Sequence, residues 1–208
     1  VDAVGPAWFA SAVAFALAMS ATPGPNNAMV TASGATWGFW RTLPHMLGIA
    51  VGFSVMLVAV ALGAGELLRD DPWAQIAMRW VGAAYLLWLA WHIATARPSA
   101  PDTTAGSRAR PLGFWRAALF QWINPKAWVI SFGGVATYTS AGGAGGVTAQ
   151  AVLLGVIFLI VTLPSTALWT LIGVGAARLL RTQAALRRFN IAMAALLVAS
   201  LVPMIFGE

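Results

Sequence analysis

The chain has 208 residues, of which 60% are hydrophobic and only 9% charged. A soluble domain carries roughly 25% charged residues, and so apolar a chain has too few charges to cover its surface in water; with a mean hydropathy of +0.79, the composition is that of an integral membrane protein. The 12 basic residues against 6 acidic ones give a net charge of +6, a balance that raises a nucleic-acid partner, while the lack of cysteine excludes disulfides, thiolate metal sites and cysteine nucleophiles.

A bilayer core of about 30 Å takes about 20 apolar helical residues. Six stretches qualify: 7–36, 43–67, 73–96, 113–139, 149–176 and 189–206. They are too long and too uniformly apolar for the alternating strands of an outer-membrane barrel, so the expected fold is all-α. The first stretch opens like a signal peptide, with small residues at Ser20-Ala21, but it has no basic n-region and reads as part of a span. At its middle lies Thr22-Pro23-Gly24-Pro25-Asn26-Asn27. Two prolines and a glycine cannot sit in a continuous helix, and a straight helix from Ala7 to Gly38 would be ~48 Å long, well over the bilayer core. The span is therefore expected to break there. Asn26 and Asn27 then cap a second half-helix, whose positive N-terminal end suits a carboxylate.

The second stretch contains His45 and the small-residue pair Gly48/Gly52, a spacing that lets helices approach closely. His45 and His92 lie far apart with no acid nearby, so no metal-binding spacing is present, and each is expected to be a polar residue near a span end. Nothing in the chain calls for a cofactor. The third stretch ends before a basic connection, residues 97–112. The fourth carries Asn124-Pro125-Lys126. Lys126 lies ten residues beyond Arg116, about 15 Å along a helix, at a depth where a lysine is costly. It is expected to face a polar cavity. No Asp or Glu falls in the central part of any span, so the substrate itself is the expected counter-ion. Gly142 to Gly146 reads as a turn before the fifth stretch. Trp37, Trp40, Trp73, Trp80, Trp91 and Trp115 fall near span ends and fit an interfacial belt. Trp122, Trp128 and Trp169 lie deeper, where a cavity wall is open to them.

Basic residues orient the chain. Nine of the twelve (Arg41, Arg97, Arg108, Arg110, Arg116, Arg178, Arg181, Arg187, Arg188) fall in the odd connections, against Arg69 and Arg79 in the second. This places the odd connections in the cytoplasm and both termini outside. The +6 is thus mostly a set of topology signals, and the nucleic-acid reading falls away. The two breaks begin two three-span halves, 1–96 and 113–208, joined by 97–112, within one membrane domain. Three spans per half make the second half inverted, and paired broken helices in an inverted repeat are a transporter pattern with the site at the repeat interface. The identity between Gly38-Phe39-Trp40-Arg41 and Gly113-Phe114-Trp115-Arg116 joins non-equivalent spans and reads as a recurrent boundary signal.

Pro23-Gly24-Pro25-Asn26-Asn27 in the first span and Asn124-Pro125-Lys126-Ala127 in the fourth resemble the two signatures of the LysE/RhtB amino-acid exporters, and the chain length, six spans and basic central loop are similar too. The resemblance implies export of amino acids or close derivatives from the bacterial cytoplasm, driven by the proton gradient, with Pro23, Gly24, Pro25, Asn26 and Asn27 as one half-site and Asn124, Pro125 and Lys126 as the other. With no acid at depth (Glu66 lies near the outer end of the second span), a small neutral substrate is expected. The partners are then an amino acid, protons and the lipid bilayer, with a homo-oligomer left open. A metal-cation or other small-solute exporter is the alternative, disfavoured by the lack of ligands at depth. A membrane-embedded enzyme needs a nucleophile with its base in reach, and Ser131, Ser165 and Ser200 have no histidine placed near them by sequence.

Overall fold

A computed structural model describes residues 4–64, 72–95, 111–140, 145–179 and 182–199. The described residues are helical, with no strand among them. In chain order the helices are α1 (Pro6–Ala21), α2 (Pro25–Trp37), α3 (Phe39–Ala59, extended by a π-helical turn, Val60–Ala64), α4 (Pro72–Thr95), α5 (Phe114–Phe120, followed by a 3-10 turn, Gln121–Ile123), α6 (Pro125–Tyr138), α7 (Gly146–Leu179) and α8 (Gln183–Ala199). Two of these are long and apolar enough to cross a membrane, 39–64 and 146–179, and α1 with α2 makes a third as a pair bent by 56°. The expected stretches 73–96 and 113–139 coincide with α4 and with α5 plus α6. The sixth, 189–206, overlaps α8, and its last residues lie outside the described part, as do Asp2, Glu66, Arg69, Arg97, Arg108, Arg110, Arg181, Gly142 and Glu208.

The proline signatures interrupt helices where the backbone rules require. Pro25 is the first residue of α2 and Pro125 the first of α6, positions where the missing N–H costs nothing. The two other helix boundaries that carry the shared Gly-Phe-Trp-Arg sequence are also helix starts. Gly38 and Gly113 are the N-caps of α3 and α5. Gly38 makes the tight turn from α2 into α3 with φ +80, a conformation open to glycine and costly for other residues. The expected fifth connection, Arg178 to Arg188, is shorter than its charges suggest. Arg178 lies in the last turn of α7, and Arg187 and Arg188 belong to α8, since arginine is a good helix former and favours a helix C-terminus.

α7 organises the fold. At 34 residues it is ~51 Å long, and the broken pair α1–α2 follows it along its length. Phe15 meets Phe158 edge-on with ring centroids 5.8 Å apart, Ser20 and Thr162 share a hydroxyl contact of 3.2 Å, and α2 reaches Thr170 and Gly173. There the backbones touch: a Cβ on Gly34 would collide with the Thr170 carbonyl, and one on Gly173 with the Thr31 carbonyl. α3 runs the opposite way on α7, with Thr170 Oγ1 donating to Met46 Sδ (3.1 Å) and Ser54 Oγ to the Gly155 carbonyl (2.8 Å). The Gly48/Gly52 pair seats α3 against α5, since Cβ atoms there would strike Phe114, Ala117 and Ala118. α6 lies antiparallel to α1: Trp8 Nε1 donates to the Tyr138 carbonyl (3.2 Å) and Tyr138 Oη to the Ser11 carbonyl (2.9 Å). The largest apolar core, around Phe53, Met56, Leu57, Leu154 and Phe158, joins α1, α3, α6 and α7, and a second, around Leu86, Leu89 and Phe120, holds α4.

Trp40, Trp73, Trp80, Trp91 and Trp115 all project outward, as anchoring side chains do. Of the deeper tryptophans, none lines the central cavity. Trp128 is buried in the core and donates from Nε1 to the Trp122 carbonyl at 2.8 Å. Close approach at Gly173 yields a direct prediction. Gly173→Ala should destabilise the protein by about 1–3 kcal/mol through overpacking, whereas Gly175→Ala, where a Cβ would meet nothing within 4 Å, should be neutral or slightly stabilising. Thermal unfolding of the two variants in one detergent measures the difference.

Candidate functional site

The two helix breaks lie side by side. Because α1 and α6 are antiparallel, the C-terminal end of α1 meets the N-terminal end of α6. Lys126 Nζ donates to the Thr22 carbonyl at 2.8 Å, one of the acceptors that the end of α1 leaves without an intrahelical donor. Gly24 makes room for this contact, since a Cβ there would lie 2.9 Å from Lys126 Cδ and 3.2 Å from its Nζ. In the same way the N-terminal end of α2 meets the 3-10 turn after α5. Asn26 and Gln121 exchange two side-chain hydrogen bonds, Nδ2 to Oε1 at 2.9 Å and Nε2 to Oδ1 at 3.2 Å. Gln121, fully buried, also donates to the Ala117 carbonyl at 2.9 Å.

The asparagines do not cap α2 as expected from their position. The N-cap is Gly24, and no side chain caps this helix. Asn27 Nδ2 turns back to the Ser20 and Thr22 carbonyls, at 2.9 and 3.0 Å, closing the end of α1 instead. Pro-Gly-Pro puts Asn27 beside carbonyls that have lost their helical donors, and a buried acceptor without a donor costs more than an unfilled cap. Ser165 Oγ donates to the same Ser20 carbonyl at 2.9 Å. Asn124 does cap α6, its side chain accepting from the Lys126 backbone N–H at 3.1 Å.

A cavity of about 50 Å³ opens between the breaks, room for roughly four waters at ~10–15 Å³ each. Of the residues singled out in the sequence, Gly24, Pro25, Asn26, Asn27, Asn124 and Lys126 line it, and Pro23 and Pro125 do not; the prolines shape the backbone that does. Sequence reading missed the opposite wall. Phe53 from α3 and Phe158, Thr162 and Thr166 from α7 complete it. Their signal is weak, because threonines spaced four apart in an apolar helix commonly bond their own backbone, as Thr166 does to Thr162 at 2.8 Å. Gln121 was missed for the same reason: one amide in an apolar stretch does not announce its partner.

Two broken helices whose ends bring amides and a lysine to one cavity inside an apolar helical body define a membrane transport protein. The chain belongs to the LysE type translocator family, whose profile matches residues 17–203. This is a family of translocators, not of enzymes, and the chain is a multi-pass membrane protein. It is 34% identical over 125 residues to a cysteine/O-acetylserine efflux protein of Escherichia coli (strain K12), which covers 60% of this chain and 61% of that protein. It is 37% identical over 112 residues to the protein of the same description from Salmonella choleraesuis (strain SC-B67), covering 54% and 55%. The chain thus spans less than two thirds of the length of these curated relatives. No solved structure matches it.

The Asn26–Gln121 pair gives a measurable coupling. Asn26→Ala and Gln121→Ala should each cost about 1–3 kcal/mol by stranding a buried amide, and the double variant should cost less than the sum by about 1 kcal/mol or more. Additive losses in chemical denaturation would show that the two amides do not act together.

Proposed function

We propose that the chain is a secondary transporter that exports small neutral amino acids or close derivatives across the bacterial cytoplasmic membrane, coupled to protons. The observation that carries this reading is the crossed arrangement of helix ends. At one level the cavity meets the N-terminal ends of α2 and α6 together with the Lys126 ammonium, and also the C-terminal end of α1 at Ser20. Helix N-termini and a cation suit a carboxylate, and the negative end of the α1 dipole suits an ammonium, the Ser20 and Thr22 carbonyls themselves being taken by Asn27, Ser165 and Lys126. A zwitterion needs both. The Asn26 and Asn27 amides are engaged within the protein, so the substrate carboxylate is held by the uncapped first turn of α2 and by Lys126.

The residues that line the cavity include Lys126 and no Asp or Glu, which supports a neutral substrate. The relatives' printed cargo, cysteine and O-acetylserine, is of that kind. In this reading the six spans form two inverted three-helix halves, 1–96 and 113–208, with the 97–112 connection in the cytoplasm and both termini outside. One half rocks on the other to expose the site alternately.

Transport in proteoliposomes tests the site. The purified protein should move labelled neutral amino acids and O-acetylserine. Lys126→Ala should lower the rate about tenfold or more, the worth of one hydrogen bond to a charged group. Gly24→Ala should lower it as well by pushing Lys126 aside. Normal transport by Lys126→Ala removes that residue from the mechanism, and no movement across a broad amino-acid panel removes the function. The orientation is tested separately on this cysteine-free chain. In intact cells a Cys at Ser140 should react with a membrane-impermeant thiol reagent, and one at Ser107 should react only after permeabilisation.

A further inference from the structure

α3 carries a buried polar group that the proposed substrate site does not use. His45, expected near a span end, lies well inside the packing at 2% exposure, and neither ring nitrogen has a hydrogen-bond partner. Buried hydroxyls on α2, α3 and α7 are already engaged with other partners. Ser33 and Thr42 bond each other at 2.9 Å, Thr31 Oγ1 bonds the Asn27 carbonyl at 2.7 Å, and Thr170 bonds both Met46 and the Thr166 carbonyl. A buried polar group without a partner costs stability and calls for an explanation.

Its position supplies one. At 100° per residue, His45 falls between two edges of α3. One carries Gly48 and Gly52 and meets α5; the other carries Met46, Ile49 and Phe53 and meets α7. Ile49, one turn further along, lines the cavity. Level with Met46, whose Sδ accepts from Thr170, α2 is locked to α7 at Gly34 and, beyond it, at Gly173, while α3 is locked to α5 at Gly48, one turn from His45 on the same side as Ile49. His45 therefore sits at the seal between the cavity and the end of the molecule that carries Arg41.

The charged and titratable groups of the elements packed on α3 do not neutralise it. α2 has none; α5 has Arg116, α7 has Arg178, and α3 itself has Arg41, all exposed. α6 offers Lys126, which is bonded to Thr22, and Tyr138, bonded to Ser11. Among the described residues there is no carboxylate to carry a proton. The other histidine, His92, is exposed on α4 beside Trp88. A histidine that water reaches gains and loses a proton near neutral pH, and a closed apolar seal keeps the ring neutral.

We infer that His45 is the proton-carrying residue of the exchange, reached from the cavity and released by opening of the α2–α7 and α3–α5 seal; this rests on the reading of the chain as a proton-coupled exporter. A neutral imidazole has one N–H, and an imidazolium has two that both need acceptors. The closed seal provides none. A proton arriving from outside through the cavity therefore favours the conformation in which the seal parts and water reaches the ring. The proton leaves to the cytoplasm, substrate enters the cavity, and the neutral ring lets the seal close again. One proton moves inward for each substrate moved outward, and no other reactant is consumed.

Wild-type protein in liposomes is measured first. Counterflow of labelled substrate without a pH gradient reports exchange alone. A one-unit pH gradient sustains up to about a tenfold substrate gradient in one-for-one exchange. Failure of counterflow overturns the exporter reading; counterflow that ignores the pH gradient overturns proton coupling, and His45 with it. In His45→Gln, gradient-driven accumulation should fall to the level of counterflow, and the substrate-driven pH change inside the vesicles should vanish, while His92→Gln keeps both. Accumulation by His45→Gln equal to wild type overturns the assignment. A readout that does not depend on this variant's folding uses His92→Gln, which leaves His45 as the single histidine. Nitrogen NMR of its ring at fixed pH should show a change in protonation on saturation with substrate, and an unchanged ring overturns the proposal.

Discussion

Everything at the centre of this protein follows from the need to satisfy backbone groups where helices are interrupted inside an apolar body. Each break exposes carbonyls at one helix end and N–H groups at the next, and hydrocarbon offers neither with a partner. The two breaks resolve this by lying against each other. Lys126 and Asn27 donate to the carbonyls that end α1, Asn26 and Gln121 close on one another, and Asn124 caps α6. Lys126 to Thr22 and the Asn26–Gln121 pair join the two breaks, while Asn27 and Asn124 close each break from within.

The same arrangement leaves a cavity with both signs of helix end on its wall. The first turn of α2 has no side-chain cap, and the Lys126 ammonium reaches the cavity while bonded to Thr22. A site built from backbone ends is rigid in position yet neutral overall except for one lysine. That suits a zwitterion, whose two charges meet dipoles of opposite sense, with Lys126 as the one formal charge that release has to leave behind.

Movement has to occur against tight packing. α7 serves as a rail for the broken pair α1–α2, and glycines bring backbones into contact at Gly34, Gly173, Gly48 and Gly52. Such interfaces are either seated or parted, because interiors are close-packed and do not deform smoothly. Placing an unpartnered imidazole at that seam ties the state of the seal to the state of the ring.

Composition and pattern alone determined the class, the helical character, the breaks at Pro23-Gly24-Pro25 and Asn124-Pro125, and the place of Lys126 beside a break, because hydrophobic length, the missing proline donor and the cost of a charge at depth are local properties. They also marked Gly48 and Gly52 as a packing surface. Only the tertiary structure decided what the polar side chains are for. Asn26 and Asn27 look like caps in the sequence and act as a clasp and as a cover for α1; Gln121 and Thr166 carry no local sign that one clasps Asn26 and the other lines the cavity; and nothing near His45 in the sequence shows that its ring is buried without a partner. The physical reason is that a hydrogen bond's partner is set by which helices meet, and Asn26 finds Gln121, 95 positions further along the chain, only after folding has brought the two breaks to one level.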